Sequence, residues 1–286
     1  MEEMPVGIMT WVLSDPYKAV ELARAVGVKT MQLGCPTDEY YSEQKKKEFK
    51  EFLQKSEIKV TTVFFGFVEE DYSSLGSGRL DSVIETVGFR NPKFRKDRIK
   101  KTMQISDFAK YLGVSVIAGH IGVVPEDQND PIYEGMVEAV REVADYCKKN
   151  NQYLALETGL ETSSTLLRFI KDVGRDNVRV NFDPANILYY GFEDPMESLE
   201  KLKDYVISVH CKDFKMPTKK GDRPIEVTFG EGDVGAERFI RKLKEIGYKG
   251  ALNIEREIHD LEEQKKDMIK TKRTIEKIKA KILSEG

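Results

Sequence analysis

The sequence predicts an α/β fold, a single (β/α)8 TIM barrel, and three observations carry that expectation. Short apolar, β-branched runs alternate with longer stretches of helical period from one end of the chain to the other. Eight such pairs occur, and no low-complexity tract or linker divides them. The length of 286 residues fits one barrel of about 250 residues plus decoration. An open doubly wound sheet is the competing arrangement, but eight repeats without a second domain favour closure. One domain is therefore expected across residues 1–286.

The first strand is expected at Met4–Trp11 and leads into a helix at Pro16–Val26, where Ser14 or Asp15 caps and Pro16 opens the first turn. Lys29–Leu33 and Glu43–Lys55 form the second pair. Ile58–Phe64 is the third strand, with its helix at Lys96–Leu112. Val114–His120 and Ile132–Asn150 follow, then Tyr153–Glu157 and Ser164–Val173. Val178–Asp183 precedes Pro195–Asp204, where Asp194–Pro195 repeats the cap-then-proline device. Val206–Lys212 with Ala236–Ile246, and Gly250–Glu255 with His259–Ile282, complete the set. Gly27, Gly113, Gly174 and Gly247 each stand just past a helical run, where a left-handed C-cap is wanted.

Two connections are long, Gly66–Arg95 and Asp213–Gly235. In a parallel barrel both belong to the rim that carries active sites. The first holds Phe65, Phe67, Tyr72, Phe89 and Phe94 at or beside it and reads as a packed lid at 66–95.

Composition narrows the function classes. Charged residues make up 33 % of the chain yet leave a net charge of −3, so no basic field exists to hold nucleic acid. Cys35, Cys147 and Cys211 are odd in number and scattered, which argues against a disulfide framework or a thiolate zinc site. The acidic start, MEEMPVGIMTW, has too short an apolar run for a signal peptide or membrane span, so a cytoplasmic enzyme without a membrane partner is expected.

The chemistry is written at four neighbouring strand ends. Glu157 ends YLALE, Asp183 ends VRVNFD, His210 lies near the end of VISVH, and Glu255 ends ALNIE. Side chains alternate along a strand, so turning these four inward sends Leu154, Leu156, Val180, Phe182, Val209, Leu252 and Ile254 outward against the helices. The same alternation puts Asn181, Ser208 and Asn253 inward, one layer below, as hydrogen-bond partners for the ligands. Three carboxylates in one pocket would repel strongly, and a bound dication removes that cost. Three oxygen donors and one nitrogen suit six-coordinate Mn²⁺, with Co²⁺, Mg²⁺ or Zn²⁺ as alternatives, and leave about two positions open for a hydroxy-ketone. Such a site supports proton transfer beside a carbonyl, with Glu157 and Glu255 as the base and acid. Epimerisation, aldose–ketose isomerisation and elimination all start from the resulting enediolate.

These segments resemble the xylose isomerase-like TIM barrel superfamily of sugar phosphate isomerases and epimerases over nearly the whole chain. ALETG, VNFDPAN, SVHCKD, GEGDV at Gly230–Val234 and NIERE look like its strand-end motifs in the right order. In the ketose 3-epimerases of that superfamily the matching residues bind Mn²⁺ or Co²⁺ and the two glutamates shuttle the proton. The resemblance implies those roles for Glu157, Asp183, His210 and Glu255, a carbohydrate substrate, and a homo-dimer or tetramer. Inosose dehydratase resembles the chain too, so a lyase on the same intermediate is the second expectation. A barrel that only binds a sugar or steadies a partner subunit is the third.

The departures are specific. Asn186 stands in DPAN where many members have a histidine, and the three histidines, His120, His210 and His259, are too few for the trinuclear zinc site of endonuclease IV. The further substrate-binding candidates are His120, Lys212, Trp11, Asn186, Glu161 and Arg223. His120 and Lys212 share the rim with the ligands, while Trp11 offers an apolar wall for a sugar ring or a core contact. Glu161 meets substrate or caps the next helix, and Arg223 contacts an anionic group or solvent. Asp213 is expected to fix its loop.

Overall fold

Ten strands form in the computed structural model, which describes residues 4–11, 15–74, 80–191, 193–219, 222–258 and 260–285. They are β1 (Val6–Thr10), β2 (Thr30–Gly34), β3 (Lys59–Phe64), β4 (Val116–Gly119), β5 (Tyr153–Glu157), β6 (Val178–Phe182), β7 (Val206–Cys211), β8 (Asp213–Lys215), β9 (Ile225–Val227) and β10 (Leu252–Ile254). Strands β1 to β7 and β10 close into a parallel barrel whose seam joins β10 to both β7 and β1. This is the expected (β/α)8 barrel, and its strands all deliver their carboxyl ends to one rim.

The helices are α1 (Pro16–Val26), α2 (Glu43–Ser56), α3 (Asp81–Thr86), α4 (Pro92–Leu112), α5 (Pro131–Lys149), α6 (Ser163–Val173), α7 (Pro184–Tyr190), α8 (Pro195–Leu202), α9 (Ala236–Glu245) and α10 (Leu261–Ser284). Their boundaries follow capping chemistry. Asp15 accepts from the Tyr17 and Lys18 amides ahead of α1, and Asp194 does the same for Met196 and Glu197 ahead of α8. Gly27 ends α1 at φ 75°, a left-handed turn that costs a residue with a Cβ more. Ser14 and His259, named above at helix starts, lie outside the described residues.

The period-2 pattern holds through the barrel wall. Leu154, Leu156, Val180, Phe182, Val209, Leu252 and Ile254 all join the large apolar layer between strands and helices. Met9, Phe64, Ala118 and Ala155 form a separate small cluster. They share alternation with the inward positions, so they fill the barrel's interior below the mouth.

Several features differ from the sequence reading, helix α3 inside the first long connection among them. Helix α4 begins at Pro92 rather than Lys96, because Asn91 caps it through the Lys93 amide. Helix α7 was not expected at all, and Asp183 itself is its N-cap. Strands β8 and β9 pair antiparallel to make a ribbon on the rim, from two runs too short to signal a strand.

The connection from β3 to α4 is a packed structure. Glu70 accepts from the Phe67 and Gly88 amides, and Thr86 Oγ1 accepts from the Asp71 amide. Arg98, 2 % exposed, lies 4.8 Å over both the Phe67 and Phe94 rings and donates to the Thr86 and Gly88 carbonyls. Residues 75–79 of this connection lie outside the described set.

Candidate metal centre at the barrel mouth

Each of the four expected ligands reaches the mouth from its own strand end. Glu157 is the last residue of β5, Asp183 follows β6, His210 lies in β7 and Glu255 follows β10. All four are buried, and one ligand atom from each lies within 4.8 Å of every other. His210 Nδ1 is 3.0 Å from Glu157 Oε1, 3.1 Å from Glu255 Oε2 and 3.4 Å from Asp183 Oδ2. Adjacent ligands on an octahedral ion with bonds of about 2.1 Å stand ~3.0 Å apart, so these separations suit a common cation.

Hydrogen bonding points the same way. Asp183 Oδ2, His210 Nδ1 and Glu255 Oε2 are buried without a hydrogen-bond partner and converge on one point. A single proton on Nδ1 cannot satisfy three carboxylates, whereas one cation can. The far side of the ring is fixed. His210 Nε2 lies 2.8 Å from Gln32 Oε1, which can only accept, so Nε2 carries a proton and Nδ1 is the atom left facing the carboxylates. Asn181 Nδ2 is 3.2 Å from the same Nε2; its Oδ1 accepts from Gln32 Nε2 at 3.1 Å and from Ser208 Oγ at 2.6 Å. Phe64 packs beneath, its ring centre 5.3 Å from that of His210.

Asp183 divides its carboxylate. Oδ1 accepts from the Ala185 and Asn186 amides at 2.8 and 3.1 Å, which starts α7 and locks the side chain, while Oδ2 stays free to coordinate.

Electrostatics reflect the crowding. Burial opposes a charge on His210, yet Glu255, Glu157 and Asp183 outweigh it and hold the imidazole well above its ordinary range. Burial likewise opposes ionising Glu255, but His210 and Lys212 pull its carboxyl far below the usual range. A dication arriving at Nδ1 displaces that proton.

The remaining candidates have distinct places. His120 Nε2 lies 3.3 Å from Glu157 Oε2, and its Nδ1 is buried without a partner. Lys212, 4 % exposed, has Nζ 3.3 Å from Glu255 Oε2 and bonds Glu257 as well. The Trp11 indole lies flat across Gly34 and Gly66, where an added Cβ would come within 2.6 and 3.1 Å of the ring, and meets Phe64 edge-on at 6.0 Å. It is half-buried on the rim.

Asn186 turns its amide to the Thr158 carbonyl at 3.3 Å and packs on Gly159, so it braces the loop after β5. Glu161 is buried and accepts from the Val124 amide; burial pushes its carboxyl up to about 8. Arg223 is exposed on the connection between β8 and β9. Asp213 accepts from the Gly230, Gly232 and Val234 amides at 3.0, 3.1 and 3.0 Å and thereby folds the GEGDV turn around itself. Asn253 bonds the Val209 and Ala251 carbonyls instead of a ligand, so it ties β10 to β7.

Sequence reasoning missed Gln32, Phe64, Glu257 and two tyrosines. Tyr72, on the β3–α4 connection, has its hydroxyl raised by burial and by Glu70, Glu157 and Glu257; Tyr190, at the end of α7, has its hydroxyl raised by burial and, against Lys212, by Tyr189, Glu257 and Glu157. Both follow barrel strands and so belong to connections on the same rim. The one available signal for Gln32 was an inward polar residue in an otherwise apolar strand, MQLG.

A closed barrel with such a cluster at its mouth belongs to a recognisable class of barrels, and comparison gives the family. The family model described as xylose isomerase-like TIM barrel matches residues 20–278, and the chain belongs to that family. The solved structure of a xylose isomerase domain protein from Planctomyces limnophilus is 36 % identical over 99 % of both chains, with a TM-score of 0.91. A D-tagatose 3-epimerase-like protein is 22 % identical over 99 % of both chains at a TM-score of 0.75, a likeness of fold. An uncharacterized protein of Methanocaldococcus jannaschii is 26 % identical over 179 residues, 58 % of this chain and 58 % of that protein. Among the described residues no helix is long and apolar enough to cross a membrane.

Proposed function

We propose that the protein is a divalent-metal-dependent isomerase or epimerase of a ketose or related keto-sugar, with Mn²⁺ as the preferred ion. The observation that carries this reading is the pair Glu157 and Glu255, buried on either side of His210 Nδ1 at 3.0 and 3.1 Å. When bound, the cation supplies positive charge beside the substrate carbonyl and stabilises an enediolate.

The protein's own residues do the rest. One glutamate accepts the proton from the carbon next to the carbonyl as that C–H pair becomes the enediolate double bond. The other returns a proton, to the opposite face of the same carbon or to its neighbour. Gln32, itself held by Asn181, fixes the imidazole plane, Asp183 is pinned by the start of α7, and Trp11 offers an apolar wall. The connection carrying Tyr72 serves as a lid that excludes water. In this reading His120, 3.3 Å from Glu157, and Lys212, 3.3 Å from Glu255, hydrogen-bond substrate oxygens.

Lys212 also supports a second reading. An ammonium beside Glu255 can protonate a departing hydroxyl, which would make the reaction a dehydration. Incubation of the Mn²⁺-loaded protein with a panel of ketoses in deuterated water separates the readings. An isomerase or epimerase incorporates one solvent deuteron without losing water, and Glu255→Gln lowers that rate by roughly 10²–10⁴-fold. Loss of water assigns the lyase. No exchange with any ketose, or full activity in Glu255→Gln, overturns the proton-transfer reading.

A further inference from the structure

The charges around the centre do not end with the ligands. Lys212 is a buried cation with two carboxylate partners, Glu255 and Glu257. Glu255 is already shared with the metal position, where its Oε2 also faces His210 Nδ1 at 3.1 Å. Glu257 is different. Its side chain is 52 % exposed, its backbone amide donates to Glu226 Oε1 at 2.9 Å, and its carboxylate reaches back from the rim onto Lys212 Nζ. Half-exposed yet bonded to the buried Lys212, it stands at the entrance.

Two arginines near the mouth engage other groups: Arg256 points to Glu226 and Asp267 at 3.1 and 2.8 Å, and Arg98 serves backbone carbonyls. With a dication bound, the carboxylates of Glu157, Asp183 and Glu255 are balanced by the ion and Lys212 together. Glu257 adds a further carboxylate beside them.

We propose that Glu257 is a specificity-determining residue: by occupying the Lys212 ammonium it keeps the mouth selective for uncharged polyols and against substrates that carry a carboxylate or phosphate. This rests on the reading of the centre as a polyol-binding metal site and names its substrate class. An ammonium has three donors; Glu257 takes one and Glu255 lies at ion-pair distance, so a neutral hydroxyl can use a remaining donor without displacing either. An anionic substituent must instead evict Glu257 or lie beside it in a low-dielectric pocket. At a few ångströms that repulsion corresponds to roughly ten- to a hundredfold in affinity. Glu257 thus acts through what it excludes.

Titration calorimetry on the Mn²⁺-loaded full chain tests this with xylitol and D-xylonate, which share a carbon chain and differ in one carboxylate. Glu257→Gln, a near-isosteric change on a half-exposed side chain, should shift the affinity ratio toward xylonate by about tenfold or more. Adding Lys212→Met to that variant should cancel the shift, because the freed ammonium is gone. An unchanged ratio in Glu257→Gln, with xylitol still bound, overturns the role of Glu257 alone. A shift that survives Lys212→Met overturns it too. Failure of the metal-loaded wild type to bind either compound overturns the polyol reading itself, and this inference with it.

Discussion

Gln32 accepts the His210 Nε2 proton across the barrel and so decides which nitrogen faces the carboxylates. Gln32→Leu removes that acceptor and leaves the ring free to turn. Calorimetry should show metal affinity falling by about 10–100-fold, the usual cost of losing such a partner, with the fold unchanged by circular dichroism. Glu161 makes a separate residue-scale prediction. Its carboxyl is pushed from 4.5 up to about 8 by burial, so the folded chain holds a proton that the unfolded chain releases. That contribution is fully present below pH 4.5 and is lost as pH rises through 8. At about 1.4 kcal/mol per unit, up to a few kcal/mol is at stake. Urea unfolding at pH 5, 7 and 9 should show this decline, and Glu161→Gln should be the more stable protein at pH 9. At the same scale, the ligands were legible because each ends a strand and alternates with outward apolar residues. Gln32 was not, because its partner lies 178 residues away and meets it only when the barrel closes.

The rim connections are the elements where prediction and structure part most. Helix α7 is harder to see because Asp183 carries two roles at once, ligand and N-cap, although Asp183–Pro184 repeats the cap-then-proline device of Asp194–Pro195. The β8–β9 ribbon is three residues on each side, below what periodicity can reveal. The aromatic content of Gly66–Arg95 points to packing, but Arg98 as its pin is a tertiary fact: nothing in the helical pattern marks an arginine that lies 4.8 Å over two rings. Arg98→Met should leave the Thr86 and Gly88 carbonyls short of a donor and destabilise the connection by about 2–3 kcal/mol. Limited proteolysis should then cut within residues 66–91 faster than in the wild type, while Mn²⁺ affinity holds. Cleavage at the wild-type rate would show that the rings alone secure it.

For the whole molecule, eight strand–helix repeats sufficed to foresee a closed barrel, since only closure leaves every strand paired and both faces covered. The centre built on it should bind its cation in the folded state alone. Mn²⁺ at a hundred times its dissociation constant should therefore raise unfolding free energy by about 2.7 kcal/mol, and chelation should remove the gain. Asp183→Asn should lose most of that increment while its Oδ1 still caps α7. Equal stabilisation of wild type and variant would place the ion elsewhere.

The four ligands belong to the second half of the chain, spread from Glu157 to Glu255, and the last of them stands at the seam where β10 meets β1. Val6 sits opposite Leu252 there, and Ile8 opposite Ile254. The grip on a cation is therefore incomplete until β10 has zipped against β1. A ring left ajar at that joint would have no fixed place for its final oxygen donor.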